Sequence, residues 1–326
     1  MKKALLGLML LSTSVMAGEA DHYTYRLDPL ADMSTVINQR ANEFLQSAID
    51  KANAKGGCDE TVLYSEMRTY FANHSTGKLV KFALHDNLVE RRQINLKKSI
   101  YGDWKILNGY LMGKPSAAES PLALTPMIRI GDEVVGTDKL EHMFGMGFKY
   151  FNWHHIKGKN LRTVLKRGVF YEKTSLGGNI LATGVFAYAD LSANFNGMRF
   201  WNHVLQKRED VMGQNIGPYV TCNNDKFEAV KENPIDFTKY VDKSMDESVN
   251  CSKFATKSAV RKVRKSLERL SEEYDVEFKC PMSMEDLQSM YDKYDVTING
   301  DKKKRSISHF ILNNDGYDDV SYFNEF

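Results

Sequence analysis

One glutamate in the middle of the chain lies where a helical pattern would bury it. The residues before it recur at the spacing of one helical face, and they are Leu161, Val164, Leu165, Gly168 and Val169. Glu172 continues this face and falls in its last turn. Burial and the negative end of the helix dipole both disfavour a carboxylate, so both raise its pKa. Glu172 is therefore predicted to keep its proton near neutral pH, as a general acid must.

The segment after Glu172 predicts a turn and then a second helix. Residues 174–179 are mostly small or glycine, residues 180–182 form a short apolar run, and a new helical pattern begins at Thr183. Its apolar positions are Val185, Tyr188, Leu191, Phe195 and Met198. Such a turn would hold Glu172 against one wall of a cleft. The alternative is a structural glutamate that reaches solvent through a local bend or caps a neighbouring helix.

A glutamate at a helix end, followed by a small hydroxyl residue and a glycine turn, resembles goose-type lysozymes and soluble lytic transglycosylases of the lysozyme superfamily. Short motifs on both sides of it are similar to exported peptidoglycan lysozymes of predatory bacteria. The residues that carry the resemblance are Glu172, Thr174, Ser175, Gly177 and Gly178, with Gly136–Lys139, His142, Gly184–Leu191 and Ala193–Phe195.

The resemblance implies a lysozyme-like helical core between about residues 130 and 206, with peptidoglycan as the substrate. It implies Glu172 as the general acid, and one type of member prefers deacetylated glycan. The chain departs from a two-glutamate pattern, because no second glutamate lies between Glu172 and Asp190, where Thr183 stands instead. The retaining, inverting or transglycosylase outcome is therefore left open.

Two acidic residues are candidates for the second carboxyl group that a glycosidase uses. The two groups lie about 5 to 5.5 Å apart in retaining enzymes and about 6.5 to 9.5 Å apart in inverting ones. Asp190 shares a helical face with Asn194, and Glu141 lies on an earlier helix. We expect Asp190 or Glu141 to activate water or stabilise the transition state, and Thr183, Tyr188 and Asn194 to position substrate. The alternative for Asp190 is a hydrogen bond between helices.

Asp138 and His142 lie four residues apart on one face of a helix that Thr137 is expected to cap. They form either a buried pair that fixes the helix or part of a metal site completed by His154 or His155. The metal site would make the protein a metal-dependent envelope hydrolase. No spacing of the His-Glu-x-x-His kind supports it, so the main prediction includes no metal and no other cofactor.

Aromatic residues crowd the same part of the chain, and flat rings stack well on sugar faces. They are Tyr150, Phe151, Trp153, Tyr171, Tyr188, Phe200 and Trp201. Most are expected in the core, because aromatic side chains dominate burial energetics. One or two would be enough to line a sugar cleft.

The start of the chain predicts export. Residues 1–17 combine a basic start, an apolar run and a small-residue exit that ends at Ala17, which is the order of a secretory signal peptide. The apolar run is far shorter than the about 20 residues that cross a bilayer, so no transmembrane segment is predicted. We expect a periplasmic or secreted protein.

Overall charge argues against a nucleic-acid partner. The chain has 44 Lys and Arg against 42 Asp and Glu, and removal of Lys2 and Lys3 with the signal makes the numbers equal. Proteins that bind nucleic acid normally show an excess of basic residues. A neutral chain is compatible with a carbohydrate polymer.

The four cysteines, an even number in an oxidising compartment, predict two disulfides. Three pairings are possible, and clustering in the last third of the chain favours Cys222 or Cys251 with Cys280. A catalytic thiol at Cys251 is the alternative.

Helical periodicity extends over most of the chain. It predicts helices over Ser34–Ala54 and Thr61–Phe71, further helices from Thr137 to about Leu205, and a basic helix over Phe254–Tyr274. Asn299-Gly300 predicts a hairpin between residues 296–298 and 307–312. The fold class is mainly α with a small β component, of α+β type.

The chain is predicted to divide into a lysozyme-like core with a helical N-terminal addition and a disulfide-bearing C-terminal addition. The predicted regions are 1–17 (signal), 18–107 (helical), 108–128 (connection), 129–217 (core) and 218–326 (basic helix and hairpin). Basic residues concentrate between Lys253 and Arg269, usually as the solvated face of a packed helix. The alternative is a non-catalytic envelope protein that binds an anionic cell-wall polymer through this helix.

Overall fold

The computed structural model describes residues 18–109, 124–173 and 183–314. Helices make up 45% of the described residues and strands 9%, which confirms a mainly α fold with a small β component. The predicted signal peptide and the predicted turn over residues 174–182 lie outside the described residues. The helices are α1 (Ser34–Asn53), α2 (Glu60–Met67), α3 (Lys78–His85), α4 (Asp138–Phe144), α5 (Met146–Phe151), α6 (Leu161–Lys173), α7 (Tyr188–Leu205), α8 (Lys257–Tyr274), α9 (Met284–Tyr294) and α10 (Ser308–Ile311).

The strands of the described residues are short and form three antiparallel pairs. The pairs are β1 (Met127–Ile130) with β2 (Glu133–Gly136), β3 (Val185–Phe186) with β6 (Lys253–Phe254), and β4 (Val220–Asn223) with β5 (Lys226–Ala229). β1 begins inside the connection predicted over residues 108–128. The β3–β6 pair fixes the segment that enters α7 to the segment that enters α8.

Helix α7 is at the centre of the fold. All of its 18 residues are buried, as expected for a helix surrounded by other elements on every side. Gly147 of α5 lies against Gly197 of α7, where an added Cβ would come within 2.6 Å of the Gly197 Cα. The backbones of α5 and α7 are therefore in direct contact. Helices α4 and α6 also pack against α7.

Two apolar clusters meet at the strand that leads into α7. Side chains alternate along this strand, so Phe186 and Tyr188 join the larger cluster while Val185 and Ala187 join the smaller one. The larger cluster includes buried residues from α1, α4, α7 and α9. The smaller cluster joins the apolar stripe of α8 to residues 94–104.

The pairing of the cysteines is settled by the structure. Cys251 bonds to Cys280, one of the pairings that the spacing favours, whereas Cys222 bonds to Cys58. No free thiol remains, so the alternative of a catalytic thiol at Cys251 is wrong. The Cys58–Cys222 bond ties the loop between α1 and α2 to strand β4.

The predicted helix starts at Thr183 and Phe254 are too early, for the same reason. Residues 185–186 and 253–254 hydrogen bond to each other as β3 and β6, and the helices begin only after this pair. Thr256 caps α8, since its side chain accepts a hydrogen bond from the Ala259 N–H. The apolar stripe of α8 is buried as predicted.

Two further boundaries differ from prediction. Helix α1 matches to within one residue, but α2 ends at Met67, before the predicted Phe71. The chain doubles back at residues 299–300, with hydrogen bonds between residues 296–298 and 305–307. Residues 308–311 then form α10 instead of continuing the predicted strand, because Phe310 and Ile311 pack into the core beside α7.

Among the described residues, no helix has both the length and the apolar character that crossing a membrane requires.

Candidate active site

A cluster of buried charged residues lies where α4, α6 and α7 meet. Helix α4 contributes Asp138, Lys139 and His142, the last turn of α6 contributes Glu172, and the first turn of α7 contributes Asp190. The N-terminus of α7 favours an anion at Asp190, whereas the C-terminus of α6 disfavours one at Glu172. The helix ends thus bias the two carboxyl groups in opposite directions.

Lys139 is the cation at the centre of this cluster. Its ammonium group lies 2.7 Å from Asp138 Oδ2, 2.6 Å from Asp190 Oδ1 and 2.7 Å from Glu247 Oε1. The side chain is only 1% exposed. Burial alone would lower the pKa of Lys139, but the three carboxyl groups outweigh it and raise the pKa well above its usual value. All three ammonium hydrogens therefore have carboxyl acceptors.

Asp190 is held as a carboxylate from two sides. Lys139 binds its Oδ1, and His142 Nε2 lies 3.0 Å from its Oδ2. Burial raises the pKa of Asp190, but His142 and Lys139 dominate and hold it well below its usual range. Burial lowers the pKa of His142, yet Asp190 raises it to about 10. His142 is thus an imidazolium at neutral pH, and its Nδ1 donates to Asn194 Oδ1 at 3.1 Å.

Glu172 shows the opposite behaviour from Asp190. It is 4% exposed, and burial together with the charge of Asp190 raises its pKa to about 8. The backbone N–H of Ala187 donates a hydrogen bond to its carboxyl group. Two neighbouring carboxyl groups whose pKa values are pushed apart are the usual basis for an acid and a base in one site. The structure brings Glu172 and Asp190 together in this way.

Glu19 and Glu247 also belong to the cluster, although sequence reasoning missed both. Burial and the charges of Glu247 and Asp190 raise the pKa of Glu19 well above its usual value. Burial likewise raises the pKa of Glu247, to about 7. Neither residue lies in a helix or strand, so no periodic pattern pointed to them.

Glu141, the other candidate for the second carboxylate, has a different partner. His74 approaches one oxygen of Glu141 with its backbone N–H at 3.1 Å and its Nδ1 at 2.7 Å. The hydrogen bond to Glu141 raises the pKa of His74. None of the contacts of Glu141 in the described part of the chain is with Glu172 or Asp190.

The three residues expected to position substrate are all buried in the same region. Thr183 donates a hydrogen bond to Glu19 Oε1 at 2.5 Å. Tyr188 is 2% exposed and packs against the ring of Phe186. Asn194 Oδ1 accepts a hydrogen bond from His142 Nδ1. Thr183 and Asn194 therefore bind members of the charged cluster, whereas Tyr188 packs beside it.

Thr137 occupies the N-cap position of α4, but its side chain does not cap the helix. Its hydroxyl instead hydrogen bonds to the hydroxyl of Thr125 at 2.5 Å. The expectation of a side-chain cap at Thr137 is therefore wrong.

The residues that could hold a metal ion differ from those predicted, because the third ligand would be Asp190 and not His154 or His155. Ligand atoms of Asp138, His142 and Asp190 lie within 4.8 Å of one another. His154 instead bonds to the Lys159 carbonyl, and burial lowers the pKa of His155 to about 3 beside His154. Metal ligands must be deprotonated, whereas the pKa of His142 is raised. Lys139 bonds one oxygen of Asp138 and one of Asp190, whereas Asp138 Oδ1 has no hydrogen-bond partner among the described residues and Asp190 Oδ2 faces His142. A metal ion at these atoms would therefore compete with the proton of His142.

Comparisons with known proteins do not extend this description. No family model matches the sequence, and no curated protein or solved structure matches it either. The likeness to lysozymes therefore consists of the short motifs alone.

Replacement of Lys139 by methionine should destabilise the protein strongly. Methionine has a similar length but leaves three buried carboxyl groups without their cation, and breaking a buried ion pair in this way costs about 3 to 5 kcal/mol. Lys55→Met is a matched control, because it removes only a surface pair with Glu66 and should cost under about 1 kcal/mol. Urea unfolding followed by circular dichroism measures both. Equal free energies of unfolding for the two variants would contradict the central role of Lys139.

Proposed function

We propose that the protein is an exported peptidoglycan glycosidase in which Glu172 is the general acid. The observation that carries the proposal is the contrast between two buried neighbours, Glu172 with a raised pKa and Asp190 bound by Lys139 and His142. Glycoside hydrolysis requires one protonated and one ionised carboxyl group in the same site. The two environments meet this requirement at neutral pH.

In this mechanism Glu172 donates its proton to the glycosidic oxygen as the bond to the anomeric carbon breaks. Asp190 stabilises the positive charge that develops on the sugar ring. Water then adds to the anomeric carbon, and the proton that it loses passes to the Glu172 carboxylate, which restores the acid. Lys139 and His142 do not react; they keep Asp190 ionised throughout the reaction.

Peptidoglycan as the substrate is supported by the position of the motifs that resemble lysozymes. Residues 136–142 form the end of β2 and most of α4, and residues 184–195 form β3 and the first half of α7. These are the elements that build the charged cluster around Glu172. The resemblance and the candidate site therefore depend on the same residues.

Two aromatic residues near Glu172 are suited to contact sugar rings. Trp153 and Tyr171 are half-buried, and their rings stack at 5.9 Å with an angle of 22°. Tyr171 precedes Glu172 on α6, and the ring of Tyr150 also stacks on Trp153, with the centroids 6.2 Å apart. The remaining aromatic candidates, Phe151, Tyr188, Phe200 and Trp201, are buried in the core.

Glu172→Gln should abolish cleavage of cell-wall sacculi without loss of the fold. Glutamine keeps the size of the side chain but cannot donate the proton, and general acid catalysis is worth about 10² to 10⁴-fold in rate. Release of soluble muropeptides from native and deacetylated sacculi measures the effect.

The matched control for this variant is Glu228→Gln, which changes an exposed glutamate of β5. It should keep the activity of the unaltered protein. Full activity in Glu172→Gln, on either kind of sacculus, would rule out Glu172 as the acid. A protein that cleaves neither native nor deacetylated sacculi would contradict the proposed substrate.

The rate should fall as pH rises above about 8. The acid is active only while Glu172 holds its proton, and its pKa is raised to about 8, so kcat/KM should drop about tenfold for each pH unit beyond that value. Asp190, whose pKa is lowered, should not limit the rate between pH 5 and pH 7. A pH profile of kcat/KM checks both statements. A value of kcat/KM that already decreases as the pH rises from 5 to 7 would contradict this assignment.

A further inference from the structure

A polar pocket lies beside the N-terminal turn of the described chain. It has a volume of about 180 Å³, well above the roughly 10–15 Å³ that a cavity needs to hold one water molecule. Residues from the turn at 21–27, from strands β1 and β2 and from residues 243–246 form its walls. It differs from the candidate active site, because Glu172 does not line it.

His22 is the most telling residue of this pocket. It is 4% exposed, and neither ring nitrogen has a hydrogen-bond partner in the residues that the structure describes. Burial lowers the pKa of His22 to about 3, so the ring is neutral and offers one donor and one acceptor. Buried polar groups without partners cost free energy. Both nitrogens have almost no exposed surface, so a ligand in the pocket reaches them only when the groups that cover them move aside. A ligand that then bonds to this ring would remove that cost.

The acidic residues of the pocket already have partners, which argues against a cation as the ligand. Asp21 accepts three backbone N–H bonds. Asp246 pairs with Arg26 at 2.9 Å, and Glu133 pairs with Lys243 at 3.2 Å. Asp132, the remaining acidic residue of the lining, is almost fully exposed and lies 3.7 Å from Arg129. Each acidic side chain of the lining therefore already faces a basic group or backbone donors.

Two guanidinium groups of the pocket have donors to spare. Arg92 has no carboxylate partner within 4 Å among the described residues, and its Nη2 donates only to the Asp28 carbonyl. Arg26 uses Nη1 for the His22 carbonyl and for Asp246. Burial lowers the pKa of Arg92, the charge of Asp28 raises it, and the like charge of Arg26 lowers it by less. An anion between Arg26 and Arg92 could pair with both guanidinium groups.

We propose that this pocket binds a small organic monocarboxylate. Its carboxylate lies between Arg26 and Arg92, the donors best matched to that group, and a neutral polar group of the ligand hydrogen bonds to His22. A single negative charge fits better than the higher charge of phosphate, because Asp21 and Asp246 stand in the same walls. The site is independent of the glycosidase proposal, since it uses none of the residues placed in that mechanism.

Calorimetric titration of the full chain with N-acetylalanine tests the proposal, because this probe joins a carboxylate to a neutral amide. Its amide, N-acetylalaninamide, has the same shape without the charge and should bind at least about tenfold more weakly. Arg92→Met and His22→Phe should each weaken binding of the acid by a similar factor. Arg269→Met, which changes an exposed arginine on α8, should leave it unaltered.

A second measurement does not depend on any variant. The ring ¹⁵N resonances of His22 should shift when N-acetylalanine is added to the unaltered protein. Absence of both heat and shift would overturn the proposal, and so would equal binding of the acid and its amide. Unchanged binding of N-acetylalanine to the Arg92→Met variant would mean that the ligand binds elsewhere, and this too would overturn the proposal. Tighter binding of inorganic phosphate than of N-acetylalanine would overturn the choice of a monocarboxylate.

Discussion

The ammonium group of Lys139, which lies within 2.7 Å of three buried carboxyl groups, holds together elements that are distant in the sequence. Asp138 lies beside it on α4, Asp190 lies in the first turn of α7, and Glu247 lies in the irregular segment before β6. Burying charges is costly unless they are paired and hydrogen bonded. The packing of α4 against α7 is therefore tied to a specific arrangement of charge as well as to apolar contact.

The chemistry of the candidate site follows from this arrangement. Lys139 and His142 keep Asp190 ionised, and the charge of Asp190 adds to burial in keeping Glu172 protonated. Excess negative charge is avoided because Glu19, Glu172 and Glu247 all have raised pKa values. The cluster thus favours the protonated form of Glu172 beside Asp190, which stays a carboxylate.

Periodicity predicted the parts of this picture that depend on one helix. The burial of Glu172 at the last turn of α6 and the apolar stripe of α8 are both visible as a 3.6-residue repeat. Long-range partners leave no such repeat, so Glu19, Glu247 and the bond between His74 and Glu141 could not be predicted. The helix starts at Thr183 and Phe254 were wrong because the β3–β6 pair, which joins residues about 70 positions apart, competes with local helical preference. Pairing of Cys222 with Cys58 has the same long-range origin.

The proton on Glu172 at neutral pH is the feature on which the proposed activity depends. It can be measured directly by ¹³C NMR of the glutamate side-chain carboxyl carbons across a pH titration, with the Glu172→Gln variant to assign the resonance. We expect a midpoint near 8 for Glu172. A midpoint near 4.5, the value of a solvated glutamate, would contradict its role as the acid.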